Sequence, residues 1–259
     1  MKTFYYRLAG IIFLSSALFL PGAVAGADQI VLAADRWCPI NCEPDSTEPG
    51  IMVEIAREIF SQAGHRVEYR LMPWARAIKE AREGNITGII GAFEGDAPDF
   101  IFPDRELLMV SGNVFFVSRE SDWDYKDTTS LSDIILGAIL EYDYGETINS
   151  YIKTHLDSKQ VQLISGNDPL ERNISKLLRG RVDVLIEASP VFWYTASKMG
   201  VKDKLRSAGE ASAPEKCFIA FSPAIEKSEE YAKILSDGIE KLRESGKLQE
   251  ILDKYGFMN

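Results

Sequence analysis

Apolar residues in this chain come in short runs, separated by glycine and by polar breaks. Residues 29–34 form one such run, which reads as a strand. In 50–63, Ile51, Ile55 and Ile59 recur at helical spacing alongside Met52, Ala56 and Phe60, and Gly64 supplies a stop. Alternation of Val67, Tyr69 and Leu71 predicts a strand over 66–72. Pro73 suits the first turn of a helix over 74–83, Gly84 ends it, and 86–93 reads as a buried strand. The same grammar continues: strands at 113–118, 136–140, 161–164, 182–187 and 217–221, with helices ending near His155 and over 168–179 and 190–199. Two helices, 228–244 and 247–254, close the chain.

One unit occurs twice. Arg82-Glu83-Gly84-Asn85-Ile86-Thr87-Gly88-Ile89-Ile90 ends a helix and opens a buried strand, and so does Leu178-Arg179-Gly180-Arg181-Val182-Asp183-Val184-Leu185-Ile186. Two units that alternate strands and helices predict two α/β lobes. Ligands of such lobes sit beyond the carboxyl ends of the strands. That rule places Phe93 and Glu94 in one lobe, and Glu187 in the other, beside a shared cleft.

Composition narrows the function. The 259 residues are 46% hydrophobic and 26% charged, as in a folding globular chain. A net charge of −10 argues against general nucleic-acid binding, which needs Lys and Arg to displace counterions. Two His and three Cys leave little for a multi-ligand metal site, and no cofactor is expected.

The amino terminus reads as an export signal. Lys2 and Arg7 precede an apolar run from Leu8 to Leu20, then Pro21, Gly22 and small residues that suit cleavage. The run is shorter than the roughly 20 residues of a membrane span. No Cys lies near the cleavage region, so a lipid anchor is not expected. Residues 1–27 are therefore assigned to a signal peptide, and the mature chain, expected in the periplasm, starts near Gly26 or Asp28. Losing Lys2 and Arg7 takes the side-chain charge from −10 to −12. Export permits disulfides, and Cys38 and Cys42 are placed to close a small loop, or to remain as two thiols. Cys217, in an apolar run, reads as a buried free thiol.

These features together resemble the bacterial extracellular solute-binding proteins of family 3, the polar-amino-acid class. The residues that carry the resemblance are Asp35, Trp37 and Pro39 after the first strand, Gly50, and Pro73-Trp74-Ala75-Arg76-Ala77. Leu177 to Asp183 and the closing run Ile239 to Gly256 complete it. The resemblance implies the two-lobed α/β periplasmic-binding-protein fold (type II, a Venus flytrap) with two crossover hinge strands. Lobe one would be 28–112 plus 214–259, and lobe two 113–213, hinged near Gly112-Asn113 and Ala211 to Lys216. It also implies a monomer that binds a small molecule and serves a membrane permease of the ABC type.

Candidate ligand-binding residues follow from the same resemblance. Trp37 is an aromatic wall, with Asp35 beside it or capping the loop. Trp74 and Arg76 open a helix near the cleft, though Arg76 is also spaced to pair with Glu80. Tyr142, Asp143, Tyr144 and Gly145 lie where a strand passes into a helix. Glu187 is the expected partner of a ligand ammonium. One departure stands out: where amino-acid binders carry a Thr followed by an Arg that grips a carboxylate, this chain has Ala92-Phe93-Glu94-Gly95-Asp96-Ala97-Pro98-Asp99. Arg76 or Arg105 would have to substitute, or the ligand is a cation or amine rather than a free α-amino acid. Two other readings stay open: an accessory receptor for a sensor or redox enzyme, and an exported cyclic-acid dehydratase using Glu187, Glu141 or Glu94. The expected role is binding without chemistry. His65 and His155 are expected at the surface.

Overall fold

The computed structural model describes residues 1–2, 26–110 and 112–257, so the apolar run assigned to the export signal lies outside the described residues. Among the described residues, no helix is long and apolar enough to cross a membrane.

Among the described residues there are two five-stranded sheets. The first contains β1 (Gln29–Ala34), β2 (Arg66–Leu71), β3 (Gly88–Ala92), β4 (Leu108–Val110) and β10 (Glu215–Phe221), in the order β2-β1-β3-β10-β4. The second contains β5 (Asn113–Ser118), β6 (Leu136–Ile139), β7 (Val161–Ile164), β8 (Val184–Ala188) and β9 (Leu205–Glu210), in the order β7-β6-β8-β5-β9. Each has a parallel trio extended on one side by two strands through successive antiparallel pairings. The repeated helix-glycine-strand unit supplies the same member of both trios: β3 in the first sheet and β8 in the second.

The chain changes sheet twice, between β4 and β5 and between β9 and β10. These two crossings run side by side. Ala211 N–H donates to Asn113 O at 2.8 Å, and Asn113 N–H donates to Ser212 Oγ at 3.0 Å.

Helices bury the apolar faces of both sheets. On the first lie α1 (Ile51–Gln62) and α6 (Ser228–Glu244), with α7 (Lys247–Lys254) packed on both helices and α2 (Trp74–Arg82) leading into β3. Burial of Ile51, Met52, Ile55, Ala56, Ile59 and Phe60 follows the apolar spacing of α1. The second sheet carries α4 (Pro169–Leu177) and α5 (Ser189–Lys198), while α3 (Glu146–Thr154) follows β6. Phe116 of β5 stacks on Phe192 of α5 with ring centroids 3.6 Å apart.

Three details correct the sequence reading. His65 is buried rather than exposed, edge-on to Phe60 and Tyr231, and His155 is half-buried with its ring stacked on Tyr151. Strand β4 has three residues, too few for periodicity. Strand β9, Leu-Arg-Ser-Ala-Gly-Glu, is an edge strand held by its pairing to β5 rather than by an apolar pattern.

Candidate ligand-binding cleft

The strand ends of both sheets converge on one cavity. β1 delivers Asp35, and the following loop carries Trp37 and Asn41. That loop is fixed by a Trp37–Asn41 backbone bridge, by a Cys38–Cys42 disulfide, and by Asn41 Nδ2 donating to Asp35 O at 2.7 Å. β3 delivers Phe93 and Asp96, and the start of α2 delivers Trp74. From the second sheet, β6 leads to Tyr142 and Asp143, β8 to Glu187, and β5 begins at Asn113. All of these line a small cavity, about 20 Å³ as traced by the centre of a water-sized sphere. Gly91 lines it too; at φ 85° it lies so near Asn41 that a Cβ would stand 2.8 Å from Asn41 Oδ1.

Side chains join the two halves directly. Trp37 Nε1 donates to Glu187 Oε1 at 2.9 Å, and Tyr142 OH donates to Asp35 Oδ2 at 2.8 Å. Trp74 Nε1 donates to Glu141 O at 3.0 Å, and its ring meets Tyr142 edge-on. Asp143 N–H donates to Asp96 Oδ1 at 2.9 Å. At the rim, Arg36 holds Glu43 of its own side and reaches across to Asp168 at 2.7 Å and Glu171 at 3.5 Å.

The cavity is strongly one-sided in charge. Asp35, Asp96, Asp143 and Glu187 line it, and among the described residues no Lys or Arg does. Burial pushes Asp35 up to about 7 despite the Tyr142 hydroxyl that favours its charged form. Burial likewise pushes Glu187 up to about 7, against the hydrogen bonds from Trp37 and the Ala188 N–H. Asp96 rises to about 8, through burial first and the nearby Asp143 charge second. Two buried acceptors on the wall have no partner among the described residues: Glu187 Oε2 and Asn41 Oδ1. Buried acceptors without a donor are costly, and both are matched by a group that brings N–H donors. Trp37, Phe93, Trp74 and Tyr142 add aromatic faces and edges, favourable walls for an organic cation. Among the described residues, no three His, Cys, Asp or Glu side chains are grouped to hold a metal ion.

Of the residues singled out in the sequence, Asp35, Trp37, Trp74, Phe93, Tyr142, Asp143 and Glu187 come together on this wall. Four others do not line it. Arg76 has a 66% exposed side chain and pairs with Glu80 at 3.3 Å. Glu94 is exposed. Tyr144 is buried in the second lobe's core, its hydroxyl accepting from Ile139 N–H at 2.8 Å. Gly145 is the N-cap residue of α3. Arg105 pairs with Glu240, so neither arginine considered as a carboxylate clamp reaches the cavity. Sequence reasoning missed Asn41 and Asn113, and named Asp96 only as a departure. Asn41's position inside the Cys38–Cys42 loop, beside Trp37, was the available signal.

Arg36 does not line the cavity, and its ion pairs tie the Trp37 loop to the start of α4. Arg36→Ala is expected to speed release of a bound solute by about 3- to 10-fold, the scale of a small network of partly exposed ion pairs. Stopped-flow tryptophan fluorescence checks this, because Trp37 and Trp74 both bond across the cleft. Its effect should shrink at high salt.

Comparison with known proteins agrees with this architecture. The family model of bacterial extracellular solute-binding proteins, family 3, matches residues 30–258. Among solved structures, a histidine kinase sensor domain with similarity to periplasmic binding proteins superposes with TM-score 0.72 at 20% identity, covering 88% of this chain and 95% of its own. An ancestral arginine-binding protein bound to glutamine gives 0.70 at 18%, covering 88% and 97%. An amino acid ABC transporter substrate-binding protein of Streptococcus pneumoniae bound to L-arginine gives 0.68 at 18%, covering 88% and 94%. At these identities the structures share the fold. No curated protein matches the sequence. With its two matching sheets, double crossover and cleft at the strand ends, the chain belongs to the bacterial extracellular solute-binding proteins, family 3.

Proposed function

We propose that this protein is an exported receptor that captures a small, cationic, amine-bearing solute between its lobes and passes it to an ABC-type membrane permease. It acts as a monomer in the periplasm after removal of residues 1–27, and it leaves the solute chemically unchanged. Residues 28–112 plus 214–259 and residues 113–213 close on the solute by bending at the paired crossings.

One observation carries the charge of the solute. Four carboxylates and no Lys or Arg line the cavity, and Glu187 Oε2 and Asn41 Oδ1 are buried acceptors awaiting a donor. An ammonium group supplies both the opposite charge and the N–H donors. An anionic solute would bring more negative charge into a desolvated acidic site.

A thermal-shift panel tests the reading. Cadaverine, putrescine and agmatine at saturating concentration are expected to raise Tm by several degrees, since a solute at 100 times its Kd stabilises by about 2.7 kcal/mol. Succinate and glutamate are expected to give no rise. A rise with the acids and none with the amines would contradict the proposal.

A further inference from the structure

Three consecutive backbone N–H groups lead from β6 into α3, the kind of array that receives an anion at a helix start. In this protein each is already taken by an oxygen of the chain itself. Gly145 N–H donates to Asp143 Oδ1 at 2.8 Å, and Tyr144 N–H to Asn149 Oδ1 at 3.0 Å. The outermost, Asp143 N–H, donates across the cleft to Asp96 Oδ1 at 2.9 Å. The other oxygen of Asp96 accepts from Phe93 N–H on its own side at 2.8 Å. One carboxylate therefore spans the cleft between main-chain donors of the two lobes, as the carboxylate of a bound solute would. Close approach is built in: a Cβ at Gly95 would fall 1.6 Å from Asp143 Oδ2, so only glycine lets that carboxylate lie there.

Elsewhere on the wall, hydrogen-bonding capacity is unfilled. Glu187 Oε2 and Asn41 Oδ1 remain without donors, while the anion-receiving N–H groups have none to spare. We propose that Asp96 is an internal substitute for a solute carboxylate, which makes the cleft selective for amines that lack one. This rests on the reading that the cleft captures an amine-bearing solute. A solute with its own carboxylate must displace Asp96 from both N–H groups and lie beside Asp143, and like charges at such range are strongly unfavourable. A decarboxylated analogue meets neither obstacle.

Titration calorimetry with two matched pairs tests this: agmatine against arginine, and cadaverine against lysine. Within each pair the solutes differ by one carboxylate. The protein is expected to favour the decarboxylated member by about tenfold or more. Asp96→Ala, which frees the Asp143 and Phe93 N–H groups, is expected to narrow that preference or reverse it by strengthening the amino acid's binding. Asp96→Asn keeps the volume and one acceptor, should fold as the parent does, and is expected to fall between. Equal or tighter binding of arginine and lysine to the unaltered protein overturns the inference while leaving amine capture standing. So does an unchanged preference in both variants. Failure of all four solutes to bind overturns amine capture itself, and this inference with it.

Discussion

Glu187→Gln is expected to weaken binding of an amine-bearing solute by about 100-fold or more while leaving the fold intact. Glu187 is 1% exposed near the end of β8 and lines the cavity, and its Oε2 is a buried oxygen without a partner among the described residues. Removing one member of a buried, hydrogen-bonded charge pair costs about 2–5 kcal/mol of binding. Glutamine is nearly isosteric and keeps an oxygen for Trp37 Nε1. It places either an uncharged oxygen or an NH2 toward the ammonium, and the NH2 repels it. Without solute the variant should be as stable as the parent or more so, because a desolvated carboxylate has been removed. Calorimetric affinity and Tm, measured together, check this. Loss of stability alongside loss of binding would make Glu187 a structural residue instead.

The second large effect is on pH. Asp35, Glu187 and Asp96 all lie above their ordinary values, at about 7, 7 and 8, because burial desolvates them. The groups facing them include few donors and no cation. Asp35 meets Tyr142, Glu187 meets Trp37 and the Ala188 N–H, and Asp96 meets the Phe93 and Asp143 N–H groups and the Asp143 carboxylate. Raised carboxyls bind more protons in the folded, closed protein than in the unfolded chain once pH exceeds the unfolded values near 4. Stability of the solute-free protein should therefore fall as pH climbs from about 4 to about 8, and be lost to that extent above it. Cation binding has the opposite sign, since it needs these groups ionised. Affinity for agmatine should rise across about pH 6 to 8, by up to tenfold per unit for each linked proton. Calorimetry in buffers of different ionisation heat should show proton release on binding. Affinity flat across this range would mean that these carboxyls do not face the solute.

Much of this was legible in the sequence because the fold repeats a local rule. The two helix-glycine-strand units end at β3 and β8, so Phe93, Glu94 and Glu187 were placed at strand ends by the pattern alone, and of these Glu94 is exposed and does not line the cavity. What was not legible depends on contacts between distant segments. Glu187 meets Trp37 across 150 positions, and Asp143 meets Asp96 across 47. The Arg36 bridge to Asp168 and Glu171 has no local pattern at all. Arg76 shows the converse: its spacing to Glu80 was visible, and that helical pair is what forms. The acidic balance of the chain was plain from composition. Its concentration on one desolvated wall, with the arginines turned to other partners, required the fold.

Native mass spectrometry of the protein with an equimolar mixture of agmatine, arginine and glutamate shows whether the cleft selects a cation lacking a carboxylate. One dominant adduct of agmatine's mass is expected, absent from Glu187→Gln. A dominant adduct of either amino acid, or an agmatine adduct that survives in Glu187→Gln, would contradict it.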